Sequence, residues 1–207
     1  MRRIPLWLKL GVAAWAAVYV PAYLAHYGAL PFLWFCNLGN LMLVAGIWLE
    51  SALLVSMVGL SVLVVDTLWT VDVLGRLLLS RHLIGGTGYM WDAEIPLWIR
   101  LISLFHVVNP VLLVFLLRRL GYDRRALPAQ TLLCWIVLPV CYFLTPPALN
   151  LNWAFGLFGR TQSWMPGGLY LLATMAGYVA LLYAPTHLLL RAWMRPAQKE
   201  PGSASSC

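Results

Sequence analysis

The chain has 207 residues, of which 62% are hydrophobic and only 10% are charged. Soluble domains contain about 25% charged residues, so this composition excludes a soluble protein and indicates an integral membrane protein. At about 20 residues per span, the length accommodates about six or seven helices and no separate soluble domain. The net charge of +7 is not accompanied by a basic run or an RNA-binding motif, so we expect no nucleic-acid partner.

Apolar runs predict an all-α fold, a bundle of six transmembrane helices joined by short loops. The chain begins with two arginines, like a signal peptide, but its apolar part is too long and no cleavage site follows, so it is expected to be a retained first span. One transmembrane domain is predicted over residues 1–195, and a disordered polar tail over 196–207. The helices are expected at about 5–26, 29–49, 52–79, 95–119, 126–145 and 168–194.

The basic residues predict that both termini are cytoplasmic, in a bacterial inner membrane. With the amino terminus inside, ten lysines and arginines fall on the inner side and four on the outer side, as the positive-inside rule requires. The two substantial outer loops are then 80–94 and 146–167. The second is too apolar for a free loop, so we expect it to pack over the bundle.

The second predicted span contains a thiol and two amides, Cys36, Asn37 and Asn40, in its outer half. Cys36 and Asn40 are four residues apart and share a helix face. A buried cysteine is often only a small apolar residue. Polar groups in hydrocarbon are nevertheless costly, and they usually mark a function or an interhelical hydrogen bond.

The third predicted span contains two carboxylates in different settings. Asp72 and Arg76 are four residues apart, so a local ion pair near the outer interface is expected. Asp66 lies deeper and has no partner in its own helix. It is therefore expected to contact a polar group of another span, for which His106, Asn40 and an outer arginine are the candidates.

The fourth predicted span centres on His106, which shares a face with Ser103 and Asn109. From the outer ends of their spans, Cys36 lies about 10 Å deep and His106 about 16 Å deep, by the rise of about 1.5 Å per residue. Cys36 and His106 are therefore expected to face each other within hydrogen-bonding reach. The remaining histidines lie at different depths, so neither a metal nor a cofactor is expected.

Short motifs of the chain resemble a known family. They are LPFLWFCN around the second-span cysteine, SLFHVVNP around the fourth-span histidine, LNLNWAFG before the last span and LLYAPTH within it. In this order they resemble the YwaF-type bacterial integral membrane family, which is related to the vertebrate cysteine-dependent ether-phospholipid acyltransferase. The likeness covers roughly residues 25–190. The family has a histidine two residues before the cysteine, where this chain has Trp34. A related group of intramembrane lipid hydrolases uses a threonine–histidine pair.

The resemblance implies that the cysteine accepts an acyl group and that the histidine activates it, roles that fall here to Cys36 and His106. Physical chemistry supports such a pair, because a buried thiol is a poor nucleophile until a base takes its proton. Asp66 is expected to orient the imidazole. The candidates for donating to an oxyanion are Asn37, Asn40, Asn109 and, less directly, Asn152.

Three functions remain open on the sequence. The first is an intramembrane acyltransferase or acyl-lipid hydrolase, with membrane lipids as partners and a Cys–His pair in the outer half of the bilayer. The second is a non-catalytic subunit or scaffold of a larger membrane complex, binding pigment or lipid, with other membrane-protein subunits as partners. The third is a carrier of protons or small molecules that uses Asp66 and His106.

Overall fold

The computed structural model describes residues 4–194, and all regular secondary structure there is helical, which confirms the all-α prediction. The predicted tail at 196–207 lies outside the described residues. A π-helical segment, Tyr178–Tyr183, joins the last two helices, and short 3₁₀ turns occur in the loops before α2, α4 and α7. The helices are α1 Leu6–Tyr27, α2 Phe35–Trp48, α3 Ala52–Leu79, α4 Leu97–Ile102, α5 Phe105–Leu120, α6 Ala126–Leu144, α7 Gly167–Gly177 and α8 Ala184–Trp193.

Five helical stretches within residues 4–194 are long and apolar enough to cross a membrane: α1, α3, α4 with α5, α6, and α7 with α8. The second predicted span, 29–49, is different. It begins with a 3₁₀ turn at Leu30–Leu33, stops at the extended residue Trp34, and resumes as α2, which has only 14 residues. Because α2 rises about 21 Å, it is shorter than the bilayer core of about 30 Å.

Helix α3 is the central element of the bundle and packs against α2, α5 and α6. Two glycines of α2 allow the backbones to approach closely. A Cβ atom at Gly39 would lie 3.2 Å from Val62, and one at Gly46 would lie 3.2 Å from Val55. Small residues at such crossings are the usual way in which helices associate closely in membranes.

The predicted fourth span is divided into α4 and α5 by a tightened turn. The amides of Ser103, Leu104 and His106 donate to carbonyls three residues earlier, at 3.0 to 3.1 Å. This 3₁₀ geometry changes the direction of the side chains that follow it. His106 therefore leaves the turn in a direction that a continuous helix would not give it.

The last span also departs from a regular α-helix, because Tyr178–Tyr183 is wound as a π-helix. Pro185 follows immediately, and a proline ring clashes with the carbonyl four residues before it. The wider turn is a common accommodation of such a residue.

Residues 150–156 of the 146–167 segment pack on the bundle, which confirms the prediction for this part, whereas Leu157, Phe158 and Trp164 are exposed. Asn152 is almost fully buried and joins this segment to the start of α2. Its Oδ1 atom accepts from the Phe35 amide at 2.9 Å, and its Nδ2 atom donates to the Leu33 carbonyl at 2.7 Å. Leu151 and Ala154 are buried in the core beside it.

The other long loop, 80–94, is held by Asp72, and the predicted ion pair between Asp72 and Arg76 is wrong. The Asp72 carboxylate accepts from the amides of Ile84 and Gly85 at 2.6 and 3.0 Å and from the Thr87 hydroxyl at 2.5 Å. Arg76 instead donates to the Ser80 carbonyl and lies over the ring of Trp91. The loop turns back over α3 and places its amides, rather than a guanidinium, at the carboxylate.

Candidate functional site

A buried polar cluster joins α2, α3 and α5. Asp66 is fully buried, and the Nδ2 atom of Asn109 lies 2.9 Å from Asp66 Oδ2 and 2.9 Å from Asn40 Oδ1. Thr70 donates to the carbonyls of Asp66 and His106, at 2.8 and 3.2 Å. The expectation that Asp66 contacts another span is therefore confirmed. Asn109, which was not among the named candidates, makes the hydrogen bond, and His106, which was, lies 3.9 Å from the carboxylate.

His106 is held in a defined orientation within this cluster. Its ring stacks against the rings of Phe105 and Trp69, with centroids 4.0 and 4.6 Å away. Its Nδ1 atom lies 2.8 Å from the Ser103 carbonyl oxygen, and its Nε2 atom lies 3.9 Å from Asp66 Oδ1. A carbonyl only accepts, so Nδ1 carries the proton and Nε2 of the neutral ring can accept one.

Asp66 and His106 together are therefore suited to hold one additional proton. If Nε2 is unprotonated and Asp66 is ionised, two groups with lone pairs face each other across 3.9 Å. One proton on either partner removes that repulsion and gives an imidazolium–carboxylate or an imidazole–carboxylic acid pair. The separation exceeds a direct hydrogen bond, so Nε2 also remains able to accept from a third group.

The predicted hydrogen bond between Cys36 and His106 is not formed within residues 4–194. The Cys36 thiol instead lies 4.0 Å from Asn37 Oδ1. The tightened turn before α5 directs the His106 ring to the Ser103 carbonyl and to Asp66, so neither ring nitrogen is hydrogen-bonded to the thiol. Both residues still border one aromatic cluster, since Cys36 packs against Tyr19, Tyr23 and Phe105, and His106 stacks on Phe105.

The asparagines predicted to stabilise an oxyanion have different roles. Asn37 donates to the Pro31 carbonyl at 2.9 Å, and Asn152 is used in the contact between the outer segment and α2, so both have structural roles. Asn109 Nδ2 donates to Asn40 and Asp66. Only the Nδ2 atom of Asn40 is buried in the cluster without an acceptor, so this donor is available to a substrate.

Three buried polar atoms around this region have no hydrogen-bond partner in the described part of the chain. They are Tyr19 Oη of α1, Asn40 Nδ2 of α2 and Asp66 Oδ1 of α3. Folded proteins pair nearly all buried polar atoms, so each such exception requires an explanation. The Tyr19 and Asn40 side chains also lie close enough to interact with each other, so a ligand that accepts from both would replace that weak contact.

An apolar groove of about 640 Å³ leads to the cluster between α1, α2, α4 and α5. Asn40 and Asn109 are the polar side chains of its lining, and the rest is apolar. Trp98, Leu101 and Val108 line it and are about half exposed, so the groove opens on the surface of the bundle. Its volume lies in the range of roughly 300–1,000 Å³ that is typical of small-molecule sites.

Sequence reasoning did not identify the tyrosines that complete the site. Tyr23 shares a hydrogen bond of 2.9 Å with the Ser103 hydroxyl, and Trp69 donates to the Tyr89 hydroxyl at 3.2 Å. Burial raises the pKa of Tyr89 in the 80–94 loop, so its hydroxyl stays protonated at neutral pH. The spacing of Tyr19 and Tyr23, four residues apart in the first span, was the available indication that they share a face.

No family model, curated protein or solved structure matches the chain. The resemblance described above therefore depends on its short motifs alone. Within residues 4–194, no group of three histidine, cysteine, aspartate or glutamate side chains is arranged to bind a metal ion.

Proposed function

We propose that the chain is an intramembrane enzyme that acts on the acyl group of a membrane lipid, with Cys36 as acyl acceptor and His106 as base. The supporting observation is that Asn40, whose Nδ2 atom is buried and unpartnered, lines an apolar groove open to the surface, together with Asn109, which donates to Asp66. An acyl ester has the matching shape, because a long hydrocarbon chain ends in a carbonyl that needs donors. The proposed location is a bacterial inner membrane.

In the proposed reaction, the hydrocarbon chain occupies the groove and the ester carbonyl lies beside Asn40 and Tyr19. The Cys36 thiol transfers its proton to His106 Nε2 as its sulfur bonds to the carbonyl carbon, and Asp66 stabilises the imidazolium. Asn40 Nδ2 and Tyr19 Oη donate to the oxyanion. The ester bond then breaks, and the leaving alcohol takes the proton from His106.

The thioester on Cys36 is then resolved by an acceptor. Its hydroxyl, or water in the case of hydrolysis, gives a proton to Nε2 and attacks the carbonyl, and the thiol leaves with that proton. Binding must bring the thiol and the imidazole together, as catalytic hydrogen bonds often tighten only in the substrate complex. Acyl transfer and hydrolysis share this intermediate.

The test is acylation of the full chain in vesicles with a phospholipid whose acyl chain carries a terminal alkyne. We expect a label on Cys36 that hydroxylamine removes. Cys36→Ala should abolish it, whereas Cys134→Ala, which alters a buried cysteine outside the cluster, should retain it. Equal labelling of both variants would overturn the proposal and favour the scaffold function.

His106→Ala should slow thioester formation by a factor on the order of 10²–10⁴, the usual contribution of a general base. His26→Ala is the matched control, because His26 is exposed at the end of α1 and its only described contact is the Tyr27 ring. A labelling rate unaffected by His106→Ala would exclude the imidazole as the base.

A proton carrier is the second candidate, and the one-proton arrangement of Asp66 and His106 favours it. The two functions are distinguished by proton uptake into vesicles under an imposed pH gradient. In a carrier, Asp66→Asn abolishes uptake and Cys36→Ala leaves it unchanged. In the enzyme, neither substitution changes proton uptake.

A further inference from the structure

A second cavity, of about 290 Å³, lies in the outer segment just before α7 and away from the buried cluster. Its polar lining includes Arg160, Thr161 and Ser163, and Trp164 and Tyr170 supply aromatic walls. The proposed enzymatic function uses none of these residues. The cavity therefore requires its own explanation.

The cation and the hydroxyls of this cavity are not used in holding the segment together. Arg160 forms no ion pair within residues 4–194, and the side chains of Thr161 and Ser163 form no hydrogen bond there. Gln162 differs, because its Oε1 atom accepts from the amides of Trp164 and Met165, both at 3.1 Å. One side chain thus fixes the loop while three neighbouring ones remain available to a ligand.

The loop that presents these groups is tightly closed. The Gln162 amide donates to the Phe155 carbonyl at 2.9 Å, and a Cβ atom at Gly156 would lie only 2.7 Å from the Gln162 nitrogen and would collide with the Arg160 carbonyl. Only glycine permits this close approach of two backbone stretches. The backbone of Arg160 is therefore held in place before any ligand binds.

The surroundings of the cavity suit the headgroup level of a membrane. Leu157, Phe158 and Trp164 are exposed to 53%, 57% and 72%. Exposed aromatic residues of this kind are enriched at membrane interfaces. Helix α7 begins directly afterwards behind Pro166 without a side-chain cap, so its first amides add positive potential beside Tyr170.

We infer that this cavity binds the phosphate of a phospholipid headgroup. The Arg160 guanidinium offers paired donors to phosphate oxygens, and the Thr161 and Ser163 hydroxyls donate to the remaining ones. Free phosphate shares this chemistry, but the exposed apolar residues beside the cavity favour a phosphate that carries acyl chains. The inference does not rest on the proposed enzymatic activity, since a lipid bound here need not be a substrate.

The test is native mass spectrometry of the full chain in detergent, titrated with dihexanoyl phosphatidylglycerol. Arg160→Gln should weaken binding about tenfold or more, as expected for losing charge-assisted hydrogen bonds. Arg81→Gln is the matched control, because Arg81 is an exposed arginine that does not line the cavity. Lipid binding by this variant should be unchanged. An equal loss of lipid affinity in both variants would show that only the general surface charge matters, and it would overturn the proposed phosphate site.

Two further arms distinguish the sources of phosphate. Glycerol phosphate should bind far more weakly than the lipid. Dihexanoylglycerol lacks phosphate, so its binding should not depend on Arg160. Equal binding of glycerol phosphate would overturn the lipid assignment. If Arg160→Gln fails to fold, Arg160→Lys and Ser163→Ala replace it. Each should weaken lipid binding, and unchanged binding in both would overturn the inference.

Discussion

At the scale of single residues, the position of the proton on His106 determines what the cluster can do. The Ser103 carbonyl holds the proton on Nδ1, and Nε2 faces Asp66 Oδ1 at 3.9 Å. In a catalytic triad the carboxylate holds one ring nitrogen and the nucleophile uses the other. Here the backbone takes the place of the orienting carboxylate, so Asp66 and an incoming group share Nε2.

Asp66→Asn tests this division of roles. The amide keeps an oxygen for Asn109 and can donate to His106, so we expect the melting temperature to change little. An amide cannot balance the charge of an imidazolium, so acylation of Cys36 should fall by tenfold or more, about 1.4 kcal/mol of transition-state stabilisation. Thermal unfolding and alkyne labelling of the same sample measure both quantities.

The control for Asp66→Asn is Asp66→Leu, which also removes the acceptor for Asn109 Nδ2. It should lower the unfolding free energy by about 1–3 kcal/mol, the usual cost of a buried group left unpaired. Full acylation activity in the asparagine variant would show that Asp66 has only a structural role.

At the scale of secondary-structure elements, each of the two long loops, 80–94 and 146–167, is fixed to the bundle by a buried polar side chain. Asn152 holds the 146–167 segment on α2, and Asp72 holds the loop that follows α3. Asn152 acts on a backbone amide and a backbone carbonyl, whereas Asp72 accepts from two backbone amides and the Thr87 hydroxyl and lies 3.2 Å from His82 Nδ1. Hydrogen bonds from amides to a buried carboxylate are strong because they are charge-assisted.

Asp72→Asn should therefore release the loop after α3, while Arg76→Gln should not. The amide retains one acceptor but loses the charge that strengthens the bonds from Ile84, Gly85 and Thr87. Hydrogen exchange at Ile84 and Gly85 should accelerate about tenfold or more in Asp72→Asn, corresponding to about 1.4 kcal/mol of local opening. Equally accelerated exchange in both variants would instead support the ion pair between Asp72 and Arg76 that the sequence predicts.

At the scale of the whole molecule, polar contacts show which loops lie together at each end of the helix bundle. Lys9 forms a 2.6 Å ion pair with Glu50, the Asp123 amide donates to the Ser56 hydroxyl, and the Tyr122 hydroxyl lies 2.7 Å from His187 Nδ1. These contacts place the α2–α3 turn, the α5–α6 loop and the end of α8 together. The loops joined by Asp72 and Asn152 lie at the other ends of the same helices.

Topology is tested with single cysteines in a cysteine-free background. Arg124→Cys in the α5–α6 loop should react with a membrane-impermeant maleimide only in inverted vesicles, because ten of the fourteen basic residues lie at that end of the predicted arrangement. Arg81→Cys should react in right-side-out vesicles. The reverse labelling pattern would show that the protein has the opposite orientation in the membrane.

Several properties of this protein follow from the sequence alone. The membrane class, the helical fold, the need of Asp66 for a partner on another helix and the packing of residues 150–156 on the bundle were all predictable. Each depends on hydropathy over a local window or on the cost of burying one polar group. Such quantities do not require knowledge of where distant residues lie.

The tertiary structure decided the remaining properties. Phe35 and Asn152 are 117 residues apart, yet their hydrogen bond accompanies the start of α2. Similarly, the Ser103 carbonyl and Asp66, rather than Cys36, lie next to the ring nitrogens of His106, and the amides of a returning loop, rather than Arg76, lie at Asp72. Hydrogen-bond partners are selected by direction and distance in three dimensions, and sequence spacing determines these only within one regular helix.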